Sequence, residues 1–212
     1  MAKRSPKPGR PPAQQGVDRR QALLDVAGPL IAREGSDSVS LREIARAAGV
    51  TPALVAYYFT NKQGLLMALL EEISGRVLGM VDQVTQMQSA SVLADFIHGY
   101  LTVIGRAPWI PQFIVREVLS RETPLQRKFI RDFSGPALAR VREVVGRVGG
   151  GSQLDDELDP GLTIMSLIGI SVFPFIAHPV LGRLIGYELT PQFSERYSRH
   201  VRHIMAQGVL AR

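Results

Sequence analysis

The chain has 212 residues, of which 45% are hydrophobic and 21% charged, and it carries a net charge of +6. That length suits one large or two small domains with a real core, and the composition excludes a disordered chain. No cysteine is present, which excludes a disulfide framework and a thiolate metal site and is compatible with a cytoplasmic location.

Residues 1–16 read as a disordered basic arm. Lys3, Arg4, Lys7, Arg10, Arg19 and Arg20 face only Asp18 before residue 21, and four prolines between Pro6 and Pro12 keep the segment extended. Behind these charges there is no apolar stretch, so no secretory signal is expected. Residues 1–60 hold nine Lys/Arg against five Asp/Glu, whereas residues 61–212 hold sixteen against fourteen. A front-loaded positive charge suits a polyanion, because each neutralised phosphate releases counterions. The arm either contacts DNA or only solubilises the chain.

From Val17 to Glu34, Leu23, Leu24, Ala27, Leu30 and Ile31 give a helical stripe that Gly35 ends. Gly28-Pro29 predicts a kink or break within it, since proline removes a backbone hydrogen bond and crowds the preceding turn. Two short helices follow, over 41–48 and 52–58. Ser40 and Glu43 have capping-box spacing, Gly49 stops the first helix, and Thr51-Pro52 starts the second. Arg42, Glu43 and Arg46 fall on the outer face. Helix, glycine turn and helix within about twenty residues fits the helix-turn-helix of DNA-binding proteins, although an ordinary helical hairpin shares the local pattern.

A long helix is expected from Asn61, with Leu65, Leu69, Ile73, Val77, Met80, Val84 and Met87 along one side for about seven turns. Further helical stripes follow over Leu93–Ile104, Ile110–Ser120 and Leu125–Val148. The run from Gly149 to Ser152 predicts a loop that lacks the Lys-Ser/Thr of a phosphate-binding motif. Leu162–Ala177 is nearly all apolar. Pro174 and the preceding Asp155, Asp156, Glu157 and Asp159 argue against a membrane span, and a buried or dimer-forming helix fits better. The acidic group lacks calcium-loop spacing and reads as negative charge at a helix start. An amphipathic helix over Pro191–Leu210 closes an all-α chain and is expected to share the dimer interface.

Three blocks in order, LLDVAGPLIAREG at 23–35, VSLREIARAAGV at 39–50 and YYFTNKQGLLMALLEE at 57–72, resemble the TetR (tetracycline repressor) family. The resemblance covers about residues 17–77. It implies a three-helix DNA-binding head over 17–77, linked by the long helix to a larger ligand-binding and dimerisation domain over 78–212. It also implies that the helix from Pro52 to Tyr58 enters the major groove. Thr51, Tyr57, Tyr58 and Lys62 match positions that usually touch phosphates, and Ala53 and Leu54 match positions that face base edges. Arg42, Pro52 and, in the arm, Lys3, Arg4, Lys7 and Arg10 complete the candidate DNA-binding set. Ala56 stands where many members carry a tyrosine, and the first helix is usually free of a residue like Pro29.

Phe96, Tyr100, Trp109, Phe113, Phe129, Phe133 and Phe173 are candidate ligand-lining residues. Each alone reads as core, but as a set they imply an apolar or aromatic effector, with Tyr100, Arg106 and Arg116 as candidate polar anchors. His98, His178, His200 and His203 lack a supporting carboxylate or cysteine spacing, so no metal and no cofactor is expected. The expected function is that of a ligand-responsive, homodimeric repressor of a pseudo-palindromic operator, without enzymatic activity. A helical enzyme and a non-specific DNA-packaging protein are the alternatives.

Overall fold

The computed structural model describes residues 13–87, 92–149 and 159–208. Within them all regular structure is helical: α1 Ala13–Glu34, α2 Leu41–Ala47, α3 Pro52–Phe59, α4 Lys62–Gln86, α5 Val92–Arg106 and α6 Ile110–Phe113 come first. After these come α7 Pro124–Phe129, α8 Gly135–Gly149, α9 Pro160–Ile185 and α10 Pro191–Gly208. Two π-helical segments, Ile114–Leu119 and Ile130–Ser134, continue α6 and α7. Helix α1 begins at Ala13, three residues before the expected end of the arm. The expected arm residues Lys3, Arg4, Lys7 and Arg10 lie outside the described residues, as do Asp155, Asp156, Glu157 and most of the Gly149–Ser152 loop.

The helix starts follow local chemistry. Glu43 N–H donates to Ser40 Oγ (3.2 Å) while Ser40 N–H donates to Glu43 Oε2 (2.7 Å), which completes the capping box. Gly49 takes φ +65 at the end of α2, in the left-handed region that glycine enters without a Cβ clash. Thr51 and Asn61 accept from Leu54 N–H (3.3 Å) and Gly64 N–H (2.9 Å) at the starts of α3 and α4.

None of the three interior prolines, Pro29 in α1 and Pro174 and Pro179 in α9, breaks its helix. Helix α1 is continuous across Pro29, so of the expected kink or break there is no break. There Gly28 leaves room for the Trp109 indole, with which any Cβ would collide. In α9, Pro174 cannot donate to the Ile170 carbonyl one turn back; Tyr197 Oη donates to that oxygen instead, at 2.8 Å. Helix α9 therefore runs to Ile185, eight residues past the expected end of the apolar stretch.

Two cores meet along α4. The first holds Leu23, Ile31, Ile44, Val55, Phe59, Leu65, Leu69 and Ile73, and Ala107, Ile110, Phe113, Val118 and Leu125 pack into it from beyond the head. The second starts at Val77 and gathers Met80, Val84, Phe96, Leu101, Val141, Leu167, Phe175 and Val201. Met87, the last residue of the expected α4 stripe, is instead exposed. Helix α9 buries Ile164, Leu167, Ser171 and Phe175, but leaves Leu162, Met165, Ile168, Phe173, Val180, Leu184 and Ile185 outside. By length and composition alone, Gly161–Ile185 could cross a membrane. One stripe locked into a protein core and an opposite, largely apolar stripe whose only charge among the described residues is Arg183 describe an interface helix better.

Candidate nucleic-acid interface

Helix α3 is held from behind by Val55 and Phe59, both buried, and turns Pro52, Ala53, Ala56 and Tyr57 outward. Tyr57 is 70% exposed. Tyr58 is only half-exposed, packs against the first core and meets the Tyr57 ring edge-on at 5.2 Å. Of the two tyrosines, Tyr57 thus has its ring free on the outer face, and Tyr58 packs against the core beneath the helix. Leu54 is also half-buried, so Ala53 is the freer of the two expected base-facing residues. Thr51 is exposed, and its cap bond uses the oxygen as acceptor, leaving the hydroxyl hydrogen for a phosphate.

Cations frame this face. Arg42 and Arg46 are exposed one turn apart on α2. Arg20 sits 5.5 Å from the centre of the Phe59 ring, a placement that its count among the N-terminal charges did not reveal. The Glu43 carboxyl is held below the usual carboxylate range, first by the Ser40 backbone hydrogen bond, then by the Ser40 side chain, with Arg46 and Lys62 adding to the effect.

Lys62, an expected phosphate contact, is also engaged within the chain. Its Nζ donates to the Ser36 carbonyl at 2.5 Å, and the side chain is half-buried. Ser36 in turn donates to Glu117, through N–H to Oε1 (2.9 Å) and through Oγ to Oε2 (2.5 Å). Arg116 Nη1 donates to the Ala32 and Arg33 carbonyls at the end of α1, at 3.1 and 2.5 Å, and Arg121 pairs with Asp37 at 3.0 Å. These contacts border a cleft of about 410 Å³ shared by Ser36, Asp37, Asn61, Lys62, Glu117, Arg121 and Thr123, among others. Sequence reasoning passed over Ser36 and Glu117. The usable signal was a lone carboxylate in the apolar run from Phe113 to Leu119, because a buried charge demands a partner.

The expected ligand-lining aromatics do not converge. Trp109, Phe113 and Phe129 belong to or pack on the first core, Phe96, Tyr100 and Phe133 belong to or pack on the second, and Phe173 is 58% exposed on α9. Of the expected anchors, Arg116 caps α1, Arg106 is exposed, and Tyr100 is mostly enclosed, where desolvation pushes its hydroxyl up to about 12. Beside Phe96 a cavity of about 10 Å³ is lined by Val81, Val84, Thr85, Val92, Leu93 and Val141, and a more open cleft of about 460 Å³ lies beside Phe173, Tyr187, Phe193 and Tyr197. The histidines are scattered: His98 lies 3.4 Å from Ser198 Oγ, and His178 lies 3.8 Å from Glu188.

A short two-helix reader with a glycine turn, mounted on a long helix that enters a second helical core, defines a helix-turn-helix DNA-binding regulator. Residues 23–69 match the model of the tetR family of bacterial regulatory proteins. Residues 89–211, more than half of the chain, match that of the C-terminal domain of the HTH-type transcriptional dual regulator CecR. The chain belongs to the TetR family of transcriptional regulators, which are DNA-binding proteins and not enzymes. Among curated relatives, the HTH-type transcriptional regulator BetI of Rhizobium meliloti is 37% identical over 89 residues, covering 42% of this chain and 43% of BetI. The match thus spans less than half of that relative. Among solved structures, the ketosteroid transcriptional regulator KstR2 of Mycobacterium tuberculosis superposes with a TM-score of 0.77 at 15% identity, covering 92% of this chain and 96% of KstR2. AibR in complex with isovaleryl coenzyme A and operator DNA gives 0.68 at 20% identity, with 88% and 97% covered. At such identities these two likenesses establish the fold.

Proposed function

We propose that this chain is a cytoplasmic repressor that binds a pseudo-palindromic operator as a homodimer and releases it when a small apolar or aromatic effector enters its C-terminal domain. The observation that carries the DNA-binding part is the outward face of α3, whose Ala53 and Tyr57 are free while Val55 and Phe59 lock the helix to its support. Small apolar side chains meet thymine methyls, and tyrosine hydroxyls donate to phosphate oxygens. The exposed apolar stripe of α9 suits a second copy of the chain, which would set two heads about 34–36 Å apart, or a multiple of that distance, on one face of the duplex.

The effector would enter the second core between α4, α5 and α8. With only about 10 Å³ free there, binding requires those helices to part. Such an opening changes head spacing by shifting a population, at a coupling of about 1–3 kcal/mol. AibR, caught with both isovaleryl coenzyme A and operator DNA, supports the view that this fold can serve both ligands.

The C-terminal match to a dual regulator favours a second reading, in which the same dimer represses one promoter and activates another. The test is selection of bound duplexes from random sequence, followed by footprinting. A two-fold symmetric protected site is expected, and enrichment of no sequence contradicts the proposal. A reporter behind that site then distinguishes repression from dual control.

A further inference from the structure

We infer that Glu117 and Ser36 are positioning residues that tie the DNA-contacting Lys62 to the C-terminal domain. This inference rests on the operator-binding function proposed above. Both groups are enclosed, with Glu117 only 6% and Ser36 only 4% exposed. Each oxygen of the Glu117 carboxylate is taken by a different donor of the same serine, the N–H at 2.9 Å and the Oγ at 2.5 Å. That two-point grip fixes the turn between α1 and α2. The Ser36 carbonyl, so fixed, holds Lys62 Nζ at 2.5 Å. An ammonium has three donors, so two remain for a phosphate, and the carbonyl decides where they point.

The grip is built from the side that an effector would move. Glu117 lies in the π-helical segment Ile114–Leu119, directly after α6, and α6 packs against both α1 and α9. A π-helical turn holds one residue more than the α-helical turn it replaces, so conversion to α geometry would swing Glu117 away from Ser36. Arg116, one residue earlier, holds the end of α1 through the Ala32 and Arg33 carbonyls. The same short segment therefore carries both of these links to the head, beside the separate Arg121–Asp37 pair. Loss of the Glu117 link frees Lys62 without removing any group that touches DNA.

The test is a double-mutant cycle on the affinity of the full chain for a duplex selected by the wild-type protein. Glu117→Ala is expected to weaken binding by about tenfold, within the usual range of such coupling. In a Lys62→Ala background the same change is expected to cost less than about twofold, because the relay then has no cation to place. Glu117→Gln should restore most of the loss, since its amide can accept from Ser36 N–H and donate to Ser36 Oγ. Should Glu117→Ala not fold, Ser36→Ala replaces it in the cycle, as it removes only the Oγ link. Equal losses in both backgrounds, or a Glu117→Ala protein that binds as well as wild type, overturn the relay. Failure of the wild-type chain to enrich any duplex overturns the operator function and the relay with it.

Discussion

Glu43 shows how much of the head is settled by single side chains. Its carboxylate closes the capping box with Ser40, and its ionised form is favoured in the folded state by hydrogen bonds first and by Arg46 and Lys62 second. A depressed folded pKa contributes stability that is fully present above the ordinary carboxylate range and is lost as pH falls through the folded value. Melting of the head followed from pH 7 downwards should therefore show an acid-side loss that Glu43→Gln reduces; identical acid limbs in the two proteins would refute this cap. Gly64 answers to a different constraint. Thr60, at φ 64 and ψ −53, forms a strained γ-turn in which Asn61 N–H donates to Phe59 O at 2.6 Å. That oxygen then sits where a Cβ on Gly64 would be. Backbone cannot step aside as a flexible side chain can, so Gly64→Ala should destabilise the protein by about 1–3 kcal/mol in denaturant unfolding. An unchanged midpoint would show that the turn is looser than it looks.

Among the helices, α3 and α4 would divide DNA recognition under the proposed function. Ala53 faces outward on α3, whereas Lys62 heads α4 and is tethered to Ser36. Lys62→Ala should weaken all duplexes about equally and lower the salt slope by about one unit, while a larger residue at Ala53 should change which bases are preferred. A sequence-selective loss at Lys62, or unchanged preferences at Ala53, would reverse these roles. The starts of α2, α3 and α4 were legible in the sequence because Ser40, Glu43, Thr51, Pro52 and Asn61 act on neighbours within one turn. The effect of the prolines was less legible for the opposite reason. Whether Pro174 breaks α9 depends on Tyr197, twenty-three residues away, whose hydroxyl takes over the Ile170 carbonyl. Periodicity likewise showed that Phe113 and Phe129 are apolar and inward, but not that they face the first core while Phe96 faces the second. The face a residue shows is local information, and what it faces is not.

The whole molecule is held together at α4, where the two cores meet, and at the Arg116–Glu117 segment, where the C-terminal part grips the turn before α2. What the single chain leaves unsatisfied is the outer side of α9, with Leu184 75% and Met165 64% exposed. Leu184→Glu should leave the fold intact, shift the protein to monomer in sedimentation, and weaken operator binding by about a hundredfold through lost bivalency. A charged variant that remains dimeric would place the interface elsewhere. This whole-molecule arrangement was only partly visible beforehand. The N-terminal motifs announced a DNA reader, whereas the C-terminal family match over 89–211 lies in a region whose apolar stripes carry no short motif.

The decisive measurement is the ratio of affinities of the full chain for a selected duplex and for a scrambled duplex of the same length, at one fixed salt concentration. A regulator whose α3 reads base edges should favour the selected duplex by about a thousandfold or more. A ratio near one, with binding that tracks only salt, would mean that the basic surface grips phosphate without reading sequence and would contradict the proposed function.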